Sequence, residues 1–156
     1  MKKMLLIVLI FLLSSCSIGT RVNLQNGKYY AELKYQHANL SSWYDLEFEI
    51  KNYHVYMEDK DMGKFVYANI NPEHWNNKDF VGSQNLGIEQ VNRVIYDISK
   101  IKTGMKLEKD IKPSDYGLGI ANLYLIRYKG DVYFIPVYWN YNSNDKSISR
   151  IYLVTK

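Results

Sequence analysis

The feature that most constrains the fold is a pair of segments late in the chain, residues 120–128 and 132–141, which are apolar on both faces and flank a Lys129-Gly130-Asp131 turn. In the first, Tyr124 and Ile126 lie opposite Leu123 and Leu125; in the second, Phe134 and Tyr138 lie opposite Ile135, Val137 and Trp139. A strand wetted on one side alternates apolar and polar residues, whereas a strand apolar on both sides must be covered on both. The pair therefore reads as a hairpin in the middle of a sheet, and residues 147–155 return after the polar stretch 142–146 to make a three-strand meander. Pro136 conflicts with a central position, because proline donates nothing to a strand ladder, and a bulge is expected there.

The rest of the chain adds strands and one helix. Residues 28–36 alternate, with Tyr29, Ala31, Leu33 and Tyr35 on one face. Residues 44–57 alternate again, Tyr44, Leu46, Phe48 and Ile50 opposing Asp45, Glu47, Glu49 and Lys51, until the parity slips at Asn52, where a bulge or bend is expected. Residues 58–63 read as a turn, 64–70 as a third strand and 105–109 as a short one. In residues 88–101 the period changes: Ile88, Val91, Ile95, Ile98 and Ile101 recur at spacings of three and four, with polar residues between them. This predicts an amphipathic helix, with Gly104 as its glycine stop. The expected fold class is α+β: a curved, mainly antiparallel sheet of six or seven strands with the helix packed on one face.

Residues 71–87 form the longest irregular stretch and carry Trp75 and Phe80. A loop of this length in a small domain is often functional, so Trp75 and Phe80 are the candidate contact surface. The chain holds 15 Tyr, 3 Trp and 5 Phe. Most of these rings suit strand packing, but amphipathic rings also favour interfaces, so some of them are candidates for protein or glycan contact.

At 156 residues the chain suffices for one domain with a real core. Its first segment does not belong to that core. A basic head, residues 1–3, precedes an uninterrupted apolar run, residues 4–13, and then Ser14 and Ser15. Ten helical residues span about 15 Å, half of a hydrocarbon layer roughly 30 Å thick, so the run reads as a secretion signal and not as a membrane span. Leu13-Ser14-Ser15-Cys16 resembles the lipobox of bacterial membrane lipoproteins, in which an aliphatic and two small residues precede the cysteine that becomes the new N-terminus. The resemblance covers residues 1–16 only.

It implies removal of residues 1–15, acylation of Cys16 with diacylglyceryl and palmitate-type chains, and a location in the cell envelope on the extracytoplasmic side, periplasmic or extracellular. Two or three acyl chains make a stable anchor where one is marginal. Residues 16–26 would then be a membrane tether and residues 27–156 a single globular domain. Cys16 is the only cysteine, so the folded domain has no thiol nucleophile, disulfide or cysteine metal ligand. Removing Lys2 and Lys3 from the 20 basic residues leaves 18 against 16 acidic ones, a net charge of +2. The basic residues are dispersed, which argues against nucleic acid as a partner.

No chemistry-bearing motif stands out. His37, His54 and His74 lie far apart without metal-ligand spacing, so no metal site is expected. The stretch from Asp59 to Gly63 departs from an EF-hand loop at the third oxygen ligand and at the closing glutamate, and reads as a solvated turn. Asp45, Glu47 and Glu49 share one strand face, whose opposite face is apolar, and read as a wet surface in place of a paired-acid site. No serine sits in a nucleophile motif and no glycine loop suits phosphate. No cofactor and no catalytic residue are assigned. The expected function is a membrane-anchored, non-catalytic binding module with a protein partner, of the immunity, inhibitor or assembly-accessory type. The alternatives are an envelope enzyme with a site built from scattered residues and a carrier of a small hydrophobic ligand.

Overall fold

A computed structural model describes residues 22–75, 79–113, 119–140, 143 and 145–156. The signal segment and Cys16 lie outside the described residues, as do residues 114–117 of the loop expected after Pro113. The strands are β1 (Gly27–His37), β2 (Leu46–Lys51), β3 (His54–Met57), β4 (Lys60–Asn69), β5 (Phe80–Gly82), β6 (Thr103–Leu107), β7 (Ile120–Tyr128), β8 (Asp131–Trp139), β9 (Lys146–Ile148) and β10 (Arg150–Thr155). The helix α1 (Ile88–Ser99) lies between β5 and β6, and a short 3-10 turn, Pro72–His74, precedes β5.

The α+β expectation is overturned. The chain is mostly β, and β1-β2-β3-β4-β6-β7-β8-β10 close into an antiparallel barrel of eight strands with one short helix. Closure rests on β10, which pairs with β1 through Leu33 and Tyr152 and with β8 through Phe134 and Tyr152. A closed sheet has no edges to protect.

Two tight turns account for the miscounted strands. Residues 44–57 are not one bent strand: Asn52 and Tyr53, at φ 51° and 67°, form a two-residue hairpin loop between Lys51 and His54. Glu58 and Asp59, at φ 48° and 60°, do the same between Met57 and Lys60. Positive φ at both central positions matches the twist of paired strands, and asparagine and aspartate accept it more readily than most residues. The third such loop is Lys129-Gly130, between Tyr128 and Asp131.

Two apolar layers explain why β7 and β8 are apolar on both faces. Inside the barrel, Leu123, Leu125 and Phe134 join Leu33, Phe48, Ile50, Val55, Phe65, Leu107 and Tyr152. Outside, Tyr124, Ile126, Tyr133, Ile135 and Val137 meet Val91, Ile95 and Ile98 of α1, with Phe80 and Ile151. Each fully buried helix side chain contributes roughly 1.5–3 kcal/mol. The Tyr128 hydroxyl donates to Asp97 Oδ2 at 2.8 Å and fastens the helix to β7.

The bulge lies elsewhere than Pro136. The register slips on β7 between Ile120 and Asn122, while Pro136 pairs regularly with Leu123. On its other side β8 leaves β10 after Phe134 and takes up β9 at Val137, so the proline falls where no partner strand needs its N–H. The helix ends at Ser99 without a glycine. Gly104 serves β6 instead: a Cβ there would stand 2.5 Å from the Leu125 carbonyl oxygen, so the close approach of β6 to β7 requires glycine.

Candidate functional site

The two ends of the barrel differ in kind. At one end, Val22, Asn23 and Leu24 fold across the opening against Ile50, Tyr53, Phe65, Met105 and Leu125, leaving a cavity of about 30 Å³. Val22 is buried and belongs to the inner core, and the Tyr29 hydroxyl donates to the Gln25 carbonyl at 2.7 Å to hold the segment. Between the ends runs a column of rings: Tyr29 on Phe48 at 5.4 Å, Phe48 on Phe134 at 4.7 Å, and Phe134 edge-on to Tyr152 at 6.3 Å. The interior is thus filled by side chains, as expected for eight strands.

The other end is open. Tyr44, Asp45, Leu46, Glu47, Met57, Glu58, Ile120 and Tyr138 line a pocket of about 460 Å³, within the range of small-ligand sites. Its walls are mixed: Leu46, Met57 and Ile120 are apolar, while three carboxylates sit at the rim.

Behind Tyr44 and Tyr138, which line the pocket, lies a buried polar group that forms the floor of the mouth. Arg150 opens β10 on the same side as Tyr152, opposite Gln36 of β1. It is 8% exposed, and among the described residues it has no carboxylate partner. Its guanidinium lies 4.6 Å from the centre of the Tyr44 ring, and it donates through Nε to Gln36 Oε1 at 3.3 Å and through a terminal nitrogen to Ser42 Oγ at 3.1 Å and the Ser42 carbonyl at 3.3 Å. Taking a cation out of water costs several kcal/mol unless a counter-charge or good hydrogen bonds replace it, and three long neutral bonds replace it only in part.

Tyrosines complete the floor. Burial raises the phenol pKa of Tyr138 and of Tyr152 above the ordinary 10, with Tyr44 and Arg150 acting on both, so both are proton donors at neutral pH. The Tyr152 hydroxyl is fully buried and finds no hydrogen-bond partner of normal geometry among the described residues. A buried unsatisfied hydroxyl costs roughly 1–3 kcal/mol. Arg150, Tyr44, Tyr138 and Tyr152 thus bring one guanidinium and three phenols to one place.

The rim is acidic and aromatic. Asp45 accepts hydrogen bonds from the Tyr30 hydroxyl and, at 2.7 Å, from the Leu33 amide. Those two bonds hold its carboxyl below the usual range. Tyr30, Trp43 and Tyr44 are each about 40% exposed, so large rings stand in solvent around the opening.

The residues singled out in the sequence fall elsewhere. Phe80 is completely buried against the His37 ring at 4.3 Å, and a ring with no exposed surface offers nothing to a partner. Trp75 is half-buried on the outer wall beside β9, and its indole N–H has no partner among the described residues. The histidines stay apart: His37 stacks on Phe80, His54 pairs with Asp61 at 2.9 Å, and His74 lies near Tyr124. No group of three metal-ligating side chains occurs among the described residues. Asp45 and Glu47 are exposed, and Glu49 pairs with Lys51 at 2.8 Å.

Sequence reading missed Arg150, Tyr138 and Tyr152 as a group. One signal was present: with Tyr152 facing in, Arg150 falls on the same side of β10 and so inside the barrel. No protein-family model, no curated protein and no solved structure matches this chain. No helix among the described residues is long and apolar enough to cross a membrane.

Proposed function

We propose that this chain is a lipid-anchored binding module of a bacterial envelope, tied to the membrane through acylated Cys16 and meeting its partner with the open end of the barrel. The observation that carries the reading is the asymmetry of the two ends. The sequence runs from Cys16 through residues 17–21 to Val22, which is packed into the closed end. The six steps from Cys16 to Val22 reach at most about 21 Å at roughly 3.5 Å each, so an anchor on Cys16 keeps the closed end near the lipid and leaves the mouth directed away. The exposed rings of Tyr30, Trp43 and Tyr44 are the residue types that dominate binding energy at protein interfaces.

Two experiments test this. Metabolic labelling with a fatty acid should mark the wild type and leave Cys16→Ala unlabelled; a labelled variant would end the anchoring assignment. Crosslinking in the native membrane should capture a partner whose yield falls severalfold in Trp43→Ala and Tyr44→Ala, because each removes a large ring from the mouth. Capture unaffected by both substitutions would place the partner surface elsewhere.

A further inference from the structure

We propose that the mouth recognises a terminal carboxylate carried on an apolar body, with Arg150 as its counter-ion. This deepens the binding-module reading and rests on it. Three observations point to that ligand class.

The first is the unpaired charge. Arg150 is buried without an acidic partner among the described residues, and the group that would neutralise it is an anion. A guanidinium offers five donors in a fork that matches a carboxylate. Nε and one terminal nitrogen bond Gln36 and Ser42, and the guanidinium also meets the Tyr138 hydroxyl, which among the described residues still leaves part of the five-donor fork for a ligand.

The second is the orphaned hydroxyl. Tyr152 is 0% exposed and its hydroxyl has no partner of normal geometry among the described residues; the Tyr44 hydroxyl is the nearest candidate, and the phenol of Tyr138 and the Arg150 guanidinium also act on it. A ligand oxygen entering beside Arg150 gains phenol donors as well as the guanidinium. The third is the wall. Leu46, Met57 and Ile120 give an apolar surface along a pocket of about 460 Å³, which suits a short chain or an apolar side chain, and the filled column beneath stops anything longer.

The rim then restricts the charge. Asp45, Glu47 and Glu58 line the same pocket. A second anionic group placed there would meet three carboxylates, so the geometry selects one negative charge at the floor and none at the top. A free short-chain acid and the C-terminus of an apolar peptide both present this chemistry.

The test is calorimetric titration of the acylated full chain in nanodiscs, with empty nanodiscs as the blank. Hexanoate should bind about tenfold or more tightly than hexanol, as a charge-assisted bond exceeds a neutral one. Adipate, with a carboxylate at each end, should bind more weakly than hexanoate. An N-acetylated tripeptide ending in leucine, compared with its amide, reads the peptide source: discrimination by the peptide pair, by the hexanoate pair or by both supports the proposal and says which source fits. Arg150→Met should abolish the preference for acid over alcohol. Should that variant not fold, Tyr138→Phe carries the test, with an expected loss of about three- to tenfold. Equal binding of acid and neutral probes in both pairs, or tighter binding of hexylammonium, would overturn the proposal. Such a result leaves the Trp43-dependent crosslink unaffected, so the two readings fail separately.

Discussion

The two ends of the barrel are built from the same strands and yet do opposite things. At the closed end the buried side chains are apolar and the chain itself, from Val22, supplies the stopper. At the open end the inward positions carry Arg150, Gln36 and tyrosines, and the space above them is left unfilled. A protein selected only for stability would finish both ends in the first way, because buried apolar surface is favourable and a buried unpaired cation is not. The contrast teaches where stability has been given up, and residues that cost stability are the ones to suspect of binding.

Truncating a side chain at the closed end should cost the most. Leu125→Ala removes a side chain packed on Val22, Ile50 and Phe65, and should cost about 2–5 kcal/mol in denaturant unfolding. The matching cut at the open end, Leu46→Ala, falls on a half-buried side chain and should cost about 1 kcal/mol or less. Equal losses would mean that the mouth is packed as tightly as the plug.

Asn122 tests the wall next to the mouth. Its buried amide oxygen accepts from the Leu107 and Leu123 amides at 3.0 and 2.8 Å, and its nitrogen donates to Asp110 at 2.6 Å, fixing the end of β6 against the β7 bulge. Asn122→Ala leaves two backbone donors without that acceptor and should cost about 2–3 kcal/mol by the same measurement.

Arg150→Met sharpens the contrast further, with a smaller expected change. It removes three long hydrogen bonds and a ring contact but also the desolvation of an uncompensated charge, so stability should move by about 1 kcal/mol or less in either direction. A loss above about 3 kcal/mol would show Arg150 to be a structural keystone instead of a recognition group.

The smallest effect concerns pH at the rim. The hydrogen bond from Tyr30, and then that from the Leu33 amide, lower the Asp45 pKa below 3.8 in the folded protein. A depressed carboxyl contributes stability that is present above its unfolded pKa and is lost as pH falls through its folded pKa. Unfolding followed from pH 5 down to pH 2 should therefore lose stability on acidification, and Asp45→Asn should flatten part of that slope. A slope unchanged by the substitution would assign the acid sensitivity to other groups.

Much of the local structure was readable from residue pattern. The two-faced apolar runs at β7 and β8 announced cover on both sides, and the three-and-four spacing placed the helix to within two residues at its end. Ile88 misled, since it continues the stripe and yet is 59% exposed, while Val91, Ile95 and Ile98 carry the burial. Closure was not readable, for it depends on Phe134 meeting Tyr152 across β9, a long-range pairing that no local period encodes. The turn at Asn52-Tyr53 was legible only as a bulge or bend, and the turn at Glu58-Asp59 as a longer one running to Gly63, because both use positive φ without glycine. The mouth escaped notice for the same reason as closure: Arg150, Tyr138 and Tyr44 become neighbours only once the barrel is shut.

In the proposed arrangement the closed end faces the membrane and the open end faces the partner. Photo-crosslinking of the acylated protein in its native membrane tests it with one reactive side chain at each end, replacing Tyr53, 61% exposed beside the plug, or Trp43, 41% exposed and next in the chain to Tyr44 of the mouth. Lipid adducts are expected from position 53 and non-lipid adducts from position 43. Lipid adducts from position 43 with none from position 53 would contradict it.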